Sequence, residues 1–136
     1  MRHVLVDTNV LASFFAGDPD TVEAFQRASS LAVNTIILGE LLAGFGMGNR
    51  AGENRRLLAR FLANPRVNLL PLGSDTAEHY AGVFSQLRRK GRPIPSNDMW
   101  VAATALEHGL VLLTRDGHFA SIEGLLTAST VDQLLP

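Results

Sequence analysis

The segment His3-Val4-Leu5-Val6-Asp7-Thr8-Asn9 passes from an apolar run into three polar residues, and that passage decides the fold. An apolar run without polar alternation is the signature of a strand covered on both faces, as in a parallel sheet. Asp, Thr and Asn directly after it are helix-starting residues. A second stretch, Leu110-Val111-Leu112-Leu113-Thr114-Arg115-Asp116, repeats the plan. Working outward, strands are expected near 3–6, 31–33, 67–70, 110–113 and 125–128, with helices near 9–16, 20–29, 36–46, 52–63, 75–90 and 98–108. Asp18-Pro19 precedes the second helix, Asn64-Pro65 follows the fourth, and Gly91 and Gly109 close the fifth and sixth. This alternation predicts an α/β fold, a parallel sheet with helices on both faces. No repeat or linker divides the 136 residues, which suffice for one domain spanning 1–136.

Composition narrows the function. With 46% hydrophobic and 18% charged residues the chain reads as globular, and no apolar run is long enough to cross a membrane. The short lead into the first strand leaves no room for a signal peptide's apolar core, so a cytoplasmic location is expected. Cysteine is absent, so any metal must be held by oxygen or imidazole. The net charge of −1 does not advertise a nucleic-acid binder. Arg50, Arg55, Arg56 and Arg60 nevertheless cluster along one expected helix, and Arg88, Arg89, Lys90 and Arg92 form a second run. Each suits phosphate contact or a solvated helix face.

Four acids, Asp7, Glu40, Asp98 and Asp116, sit in or beside apolar stretches where an unpaired carboxylate is costly. Singly, three have ordinary explanations: Asp7 as a helix cap, Asp98 in a first helical turn favoured by the macrodipole, Asp116 as a turn former before Gly117. Glu40 is harder to dismiss, because a helix starting at Asn34 or Thr35 puts it on one side with Ile36, Ile37, Leu41 and Gly44, facing the core. Asp7 and Asp116 follow strand ends and Asp98 opens a helix between strands, so the four are expected to meet at one edge of the sheet. Two carboxylates about 4 Å apart repel by roughly 4 kcal/mol at an effective dielectric near 20, so such a group needs a cation or bound protons. Arg115 is the only embedded basic residue beside these segments. Mg2+ or Mn2+ answers the requirement, with Thr8, Asn9, Asn97 and Thr114 placed to hydrogen-bond the carboxylates or metal-bound water. The glycine-rich Gly44-Phe45-Gly46-Met47-Gly48 lacks the strand and the Lys of a phosphate loop. Among the histidines only His118, close to Asp116, stands near the acids.

Four anchors, taken together, resemble the PIN-domain family and in particular VapC-type toxins of bacterial toxin–antitoxin pairs. They are Val6-Asp7-Thr8-Asn9, Glu40-Leu41-Leu42-Ala43-Gly44, the run from Ile94-Pro95-Ser96-Asn97-Asp98 to Ala105, and Leu113-Thr114-Arg115-Asp116 followed by His118-Phe119. The resemblance spans essentially the whole chain. It implies a three-layer α/β/α sandwich around a short, mainly parallel sheet, with Asp7, Glu40, Asp98 and Asp116 forming an acidic pocket beside Thr114. It further implies an Mg2+- or Mn2+-dependent endoribonuclease acting on RNA, a homodimer, and a cognate antitoxin whose tail crosses the active-site groove. An apolar surface on the second to fourth helices, with Phe25, Leu57, Leu58 and Phe61, is the expected place for that partner, core packing being the alternative for the same side chains. One rival is an aspartyl-phosphate protein, a receiver or Mg2+ phosphatase. Asp7-Thr8-Asn9 lacks the second Asp such a phosphatase carries, and Lys90, the only lysine, sits at a helix end. The other rival is a non-catalytic PIN module that only binds a partner.

Overall fold

The computed structural model describes residues 2–134; residues 1, 135 and 136 of the expected 1–136 domain lie outside the described residues. Five strands form one sheet: β1 (His3–Val6), β2 (Ser30–Asn34), β3 (Val67–Leu70), β4 (Val111–Leu113) and β5 (Thr127–Ala128). Their order is β3-β2-β1-β4-β5, and every neighbouring pair is parallel. Six helices connect them: α1 (Thr8–Phe15), α2 (Pro19–Arg27), α3 (Thr35–Met47), α4 (Ala51–Leu62), α5 (Ser74–Lys90) and α6 (Ser96–His108). The expected elements are all present, with two adjustments. The fifth strand shrinks to two residues, and α6 starts at Ser96, because Pro95, fixed at φ −55 and ψ 144, ends the extended approach two residues ahead of Asp98.

Burial explains the apolar runs. Val4, Leu5 and Val6 of the central strand are fully buried, as is Leu112 beside them. A Leu→Ala change in such a place costs about 2–5 kcal/mol. The chain moves from β1 outward to β3 through α1 to α4, then returns across the sheet through α5 and α6 to β4. Right-handed crossovers therefore set these two helix groups on opposite faces.

Local chemistry fixes the helix ends. The Asp18 side chain caps α2 with Pro19 in the first turn, Asn34 caps α3, and Gly91 and Gly109 end α5 and α6 in the left-handed conformation at φ 65 and φ 64. Phe14 stacks on Phe25 at 4.3 Å between centroids, and Phe61 lies 5.7 Å from Phe14 and 5.8 Å from Phe25. This packing corrects the expected partner surface: Phe25, Leu58 and Phe61 are buried core, and only Leu57 of that set is partly open.

The strand order reverses at β1, whose neighbours β2 and β4 are reached by connections running in opposite directions. The crevice beyond the carboxyl ends of β1 and β4 is where sheets of this type bind ligands.

Candidate metal centre

The pairing of β1 with β4 sets Val6 opposite Leu113, so the next residues, Asp7 and Thr114, emerge side by side. The Asp7 N–H extends the ladder by donating to Leu113 O at 3.0 Å. The Asp7 carboxylate is buried. Its Oδ1 accepts the Thr8 N–H at 2.8 Å and its Oδ2 accepts the Thr114 hydroxyl at 2.7 Å. Thr8 Oγ1 donates to Glu40 Oε1 at 2.8 Å. On the other flank the Asp116 N–H donates to Thr114 Oγ1 at 3.1 Å, and Asp116 Oδ1 accepts the His118 N–H at 2.9 Å, opening a 3₁₀ turn over Gly117–Ser121. His118 Nδ1 closes the series, 2.9 Å from Asp98 Oδ2 and 3.2 Å from Asp116 Oδ1.

A continuous belt of hydrogen bonds thus joins the four acids in the order Glu40, Thr8, Asp7, Thr114, Asp116, His118, Asp98. The acids come from four separate places: the end of β1, the second turn of α3, the first turn of α6 and the turn after β4. Asp98, Asp116 and His118 each offer a donor atom within 4.8 Å of the other two; among the described residues this is the group that meets that spacing, and Asp7 and Glu40 do not join it.

The side-chain placements refine the sequence reading. Glu40 does not face the core. Ile37 and Leu41, four apart, take the buried face of α3, which leaves Glu40 on the flank, half-buried at the rim, while Gly44 is exposed. Thr8 and Thr114 lie in the belt as expected. Asn9 lies outside it, its carboxamide oxygen accepting the Arg115 N–H at 3.3 Å, so it supports the turn carrying Asp116 rather than a carboxylate. Asn97 is exposed in the first turn of α6 and is not brought into the belt. Arg115 turns away from the acids to Ser13, Asp18 and Thr21 at 2.5–3.1 Å. His118 is the belt member not counted among the site residues in the sequence. Its spacing of two from Asp116, which puts both on one tight turn, was the available signal.

The electrostatics agree with the geometry. Burial raises the Asp7 carboxyl above its ordinary value, the hydrogen bonds from Thr114 and Thr8 oppose the rise, and repulsion from Asp98 and Glu40 adds to it. His118 is raised chiefly by its hydrogen bond to Asp98 and then by the charge of Asp116. Among the described residues no Lys or Arg forms an ion pair with any of the four acids. A cleft of about 450 Å³ opens beside Thr8 and Glu40 and runs between Ala12, Phe15 and Phe45 to Arg50 and Asn54.

The sequence pattern of the PIN domain matches residues 4–125. The chain is 31% identical over 124 residues to Ribonuclease VapC4 of Mycobacterium tuberculosis, covering 90% of this chain and 92% of that protein. Its structure is similar to VapBC-1 from nontypeable Haemophilus influenzae, with a TM-score of 0.80 and 26% identity over 93% of this chain and 96% of that one. It also shares the fold of VapBC2 from Rickettsia felis bound to a promoter DNA fragment, with a TM-score of 0.83, 21% identity, and coverage of 93% and 97%. With the pattern matched from the first strand past the last acid, and a ribonuclease relative aligned over nine-tenths of its length, the chain belongs to the PIN-domain family, alongside the VapC ribonucleases.

Proposed function

We propose that this protein is a metal-dependent endoribonuclease, the toxin of a toxin–antitoxin pair, which hydrolyses RNA phosphodiester bonds at the carboxylate belt. The observation that carries the reading is the belt itself: four acids hydrogen-bonded into one series, with no Lys or Arg paired to them among the described residues and only the His118 imidazole against Asp98 and Asp116. PIN nucleases are metal-dependent. The donor set here fits a hard divalent cation, because oxygen predominates and thiolate is absent; Mg2+ or Mn2+ is the choice such donors favour.

Asp7 and Asp98 are the principal ligands in this reading, with Glu40 and Asp116 binding directly or through water. A bound cation supplies charge neutralisation at a phosphodiester oxygen and lowers the pKa of attacking water. The residues do the rest. Thr114 and Thr8 fix both oxygens of Asp7, so its carboxylate is oriented before substrate arrives. Glu40, held by Thr8 at the mouth of the cleft, is placed to accept the proton of the attacking water as a phosphorus–ribose oxygen bond breaks. Arg50 lies further along the same cleft, within reach of an RNA backbone. The apolar side of that cleft, with Ala12, Phe15, Leu41 and Phe45, suits the tail of a cognate antitoxin, a partner supported by the likeness to VapBC complexes. A homodimer is the assembly proposed.

The aspartyl-phosphate alternative lacks its lysine. Lys90 donates to Ser121 O at 2.7 Å and pairs with Glu123 at 3.1 Å, none of them a belt residue. The test is incubation of purified protein with total RNA in Mg2+, Mn2+ or EDTA, beside Asp7→Asn. Discrete products that need the cation and vanish in the variant are expected. Folded, partner-free protein that cuts nothing would favour the binding-module alternative.

A further inference from the structure

We propose that His118 is a nitrogen ligand of the cation held between Asp98 and Asp116, making that part of the centre a mixed carboxylate and imidazole site that prefers a first-row transition-metal divalent ion to Mg2+. The inference rests on the metal-site reading above and adds to it a residue and a selectivity. Nδ1 is the imidazole nitrogen turned toward the acids, 2.9 Å from Asp98 Oδ2 and 3.2 Å from Asp116 Oδ1, and the proton it donates to them in the metal-free protein is released when the cation takes its place. Adjacent donors around an octahedral ion with bonds of about 2.1 Å stand roughly 3 Å apart, so these spacings match two edges of one coordination shell.

The three donors are also held. The His118 N–H donates to Asp116 Oδ1, so carboxylate and imidazole issue from one 3₁₀ turn. The next residue, Phe119, is buried and anchors that turn in the core. Asp98 is fixed from the other side by α6, whose Met99 and Val101 are buried. The imidazole ring is about half exposed, which leaves it at the solvent side of the centre. Carboxylates alone suit Mg2+, whereas an imidazole donor favours ions of the transition series, with affinity rising from Mn2+ through Fe2+ and Co2+.

Pulsed electron paramagnetic resonance on the full-length protein loaded with Mn2+ reads the ligand directly. Nitrogen modulation from a bound imidazole is expected in the wild type and absent in His118→Gln. That substitution should also weaken Mn2+ binding by on the order of 10–100-fold while changing Mg2+ binding little, so the ratio of the two affinities falls. Bound Mn2+ without nitrogen modulation, modulation that persists in His118→Gln, or equal Mn2+ affinity in the two proteins would overturn the proposal and leave His118 an ion-pair partner only. Asp98→Asn separates this from the parent reading. If that variant binds Mn2+ as the wild type does, or the wild type binds none, the acidic metal site itself is wrong and this inference falls with it.

Discussion

Asp7 is buried between two hydroxyl-bearing neighbours while two further carboxylates repel it, so its ionised form is a source of instability, which a cation bound as proposed would relieve. The native carboxyl titrates above its ordinary value of 3.8, so the native state holds its proton more tightly than the unfolded chain. Stability from this group therefore falls as pH rises from the ordinary value through the raised one, and stays low above it. In EDTA at neutral pH, Asp7→Asn is expected to be at least as stable as the wild type, with the difference shrinking in acid. A divalent cation at 100 times its dissociation constant should then stabilise the wild type by about 2.7 kcal/mol and the variant by much less. Urea denaturation with and without metal measures both, and a wild type indifferent to metal would refute the account of Asp7. Asp18 has the opposite sign. The Thr21 hydroxyl and N–H, and then Arg115, hold its carboxyl below 3.8. Its charge contributes stability above that value, lost as pH falls through the lowered one. Asp18→Asn keeps a good cap and removes only the charge. Its stability deficit should be present at pH 7 and disappear in acid melts, and a deficit unchanged across that range would show that the charge is irrelevant.

At the scale of elements, Asn34 couples the two helices that bring acids to the site from outside the switch-point strands. It is fully buried. Its Oδ1 accepts the Ile37 N–H at 2.9 Å, capping α3, and its Nδ2 donates at 2.9 Å to Thr104 Oγ1, which in turn donates to Trp100 O within α6. Glu40 lies on the first of these helices and Asp98 on the second. Asn34→Ala removes the cap and a buried hydrogen bond, and should cost about 2–4 kcal/mol. Thr104→Val spares the cap but removes the bond from Asn34, leaving a buried amide N–H without its acceptor, together with the hydroxyl's bond to Trp100 O, and should cost about 1–3 kcal/mol. Chemical denaturation checks the pair, and equal small losses would place the role of Asn34 elsewhere. The cap was legible in the sequence, since Asn before an apolar helix is a local signal. The bond to Thr104 was not, because it spans 70 residues and depends on two helices meeting across the sheet edge. The same distinction explains Glu40: period alone put it with Ile37 and Leu41, but only the packed helix shows which side of that stripe the core takes.

For the whole molecule, sheet order brings acids scattered along the sequence onto one hydrogen-bonded belt. Strand runs, caps and glycine stops made the parallel α/β plan readable from the sequence, and the reversal at β1 follows from the observed order β3-β2-β1-β4-β5. That reversal sets Asp7 against Thr114 and lets the turn after β4 meet α6. The arginines were less legible, because no sequence periodicity tells a long charged side chain which neighbour to choose: Arg115 locks α1 and α2 to the turn before Asp116, and Arg66 donates to Phe25 O and Ala28 O. The claim that the four acids act as one catalytic unit is tested most directly by single-turnover RNA cleavage, with saturating Mg2+ or Mn2+, in Asp7→Asn, Glu40→Gln, Asp98→Asn, Asp116→Asn and the double variant Asp7→Asn/Asp98→Asn. Each single change is expected to lower the rate by about 10²–10³-fold, as removal of one preorganised electrostatic group does. The double variant should be little slower than the worse of its parents, the non-additivity of groups that work together. Full activity in either Asp7→Asn or Asp98→Asn, or losses that simply multiply, would contradict the account.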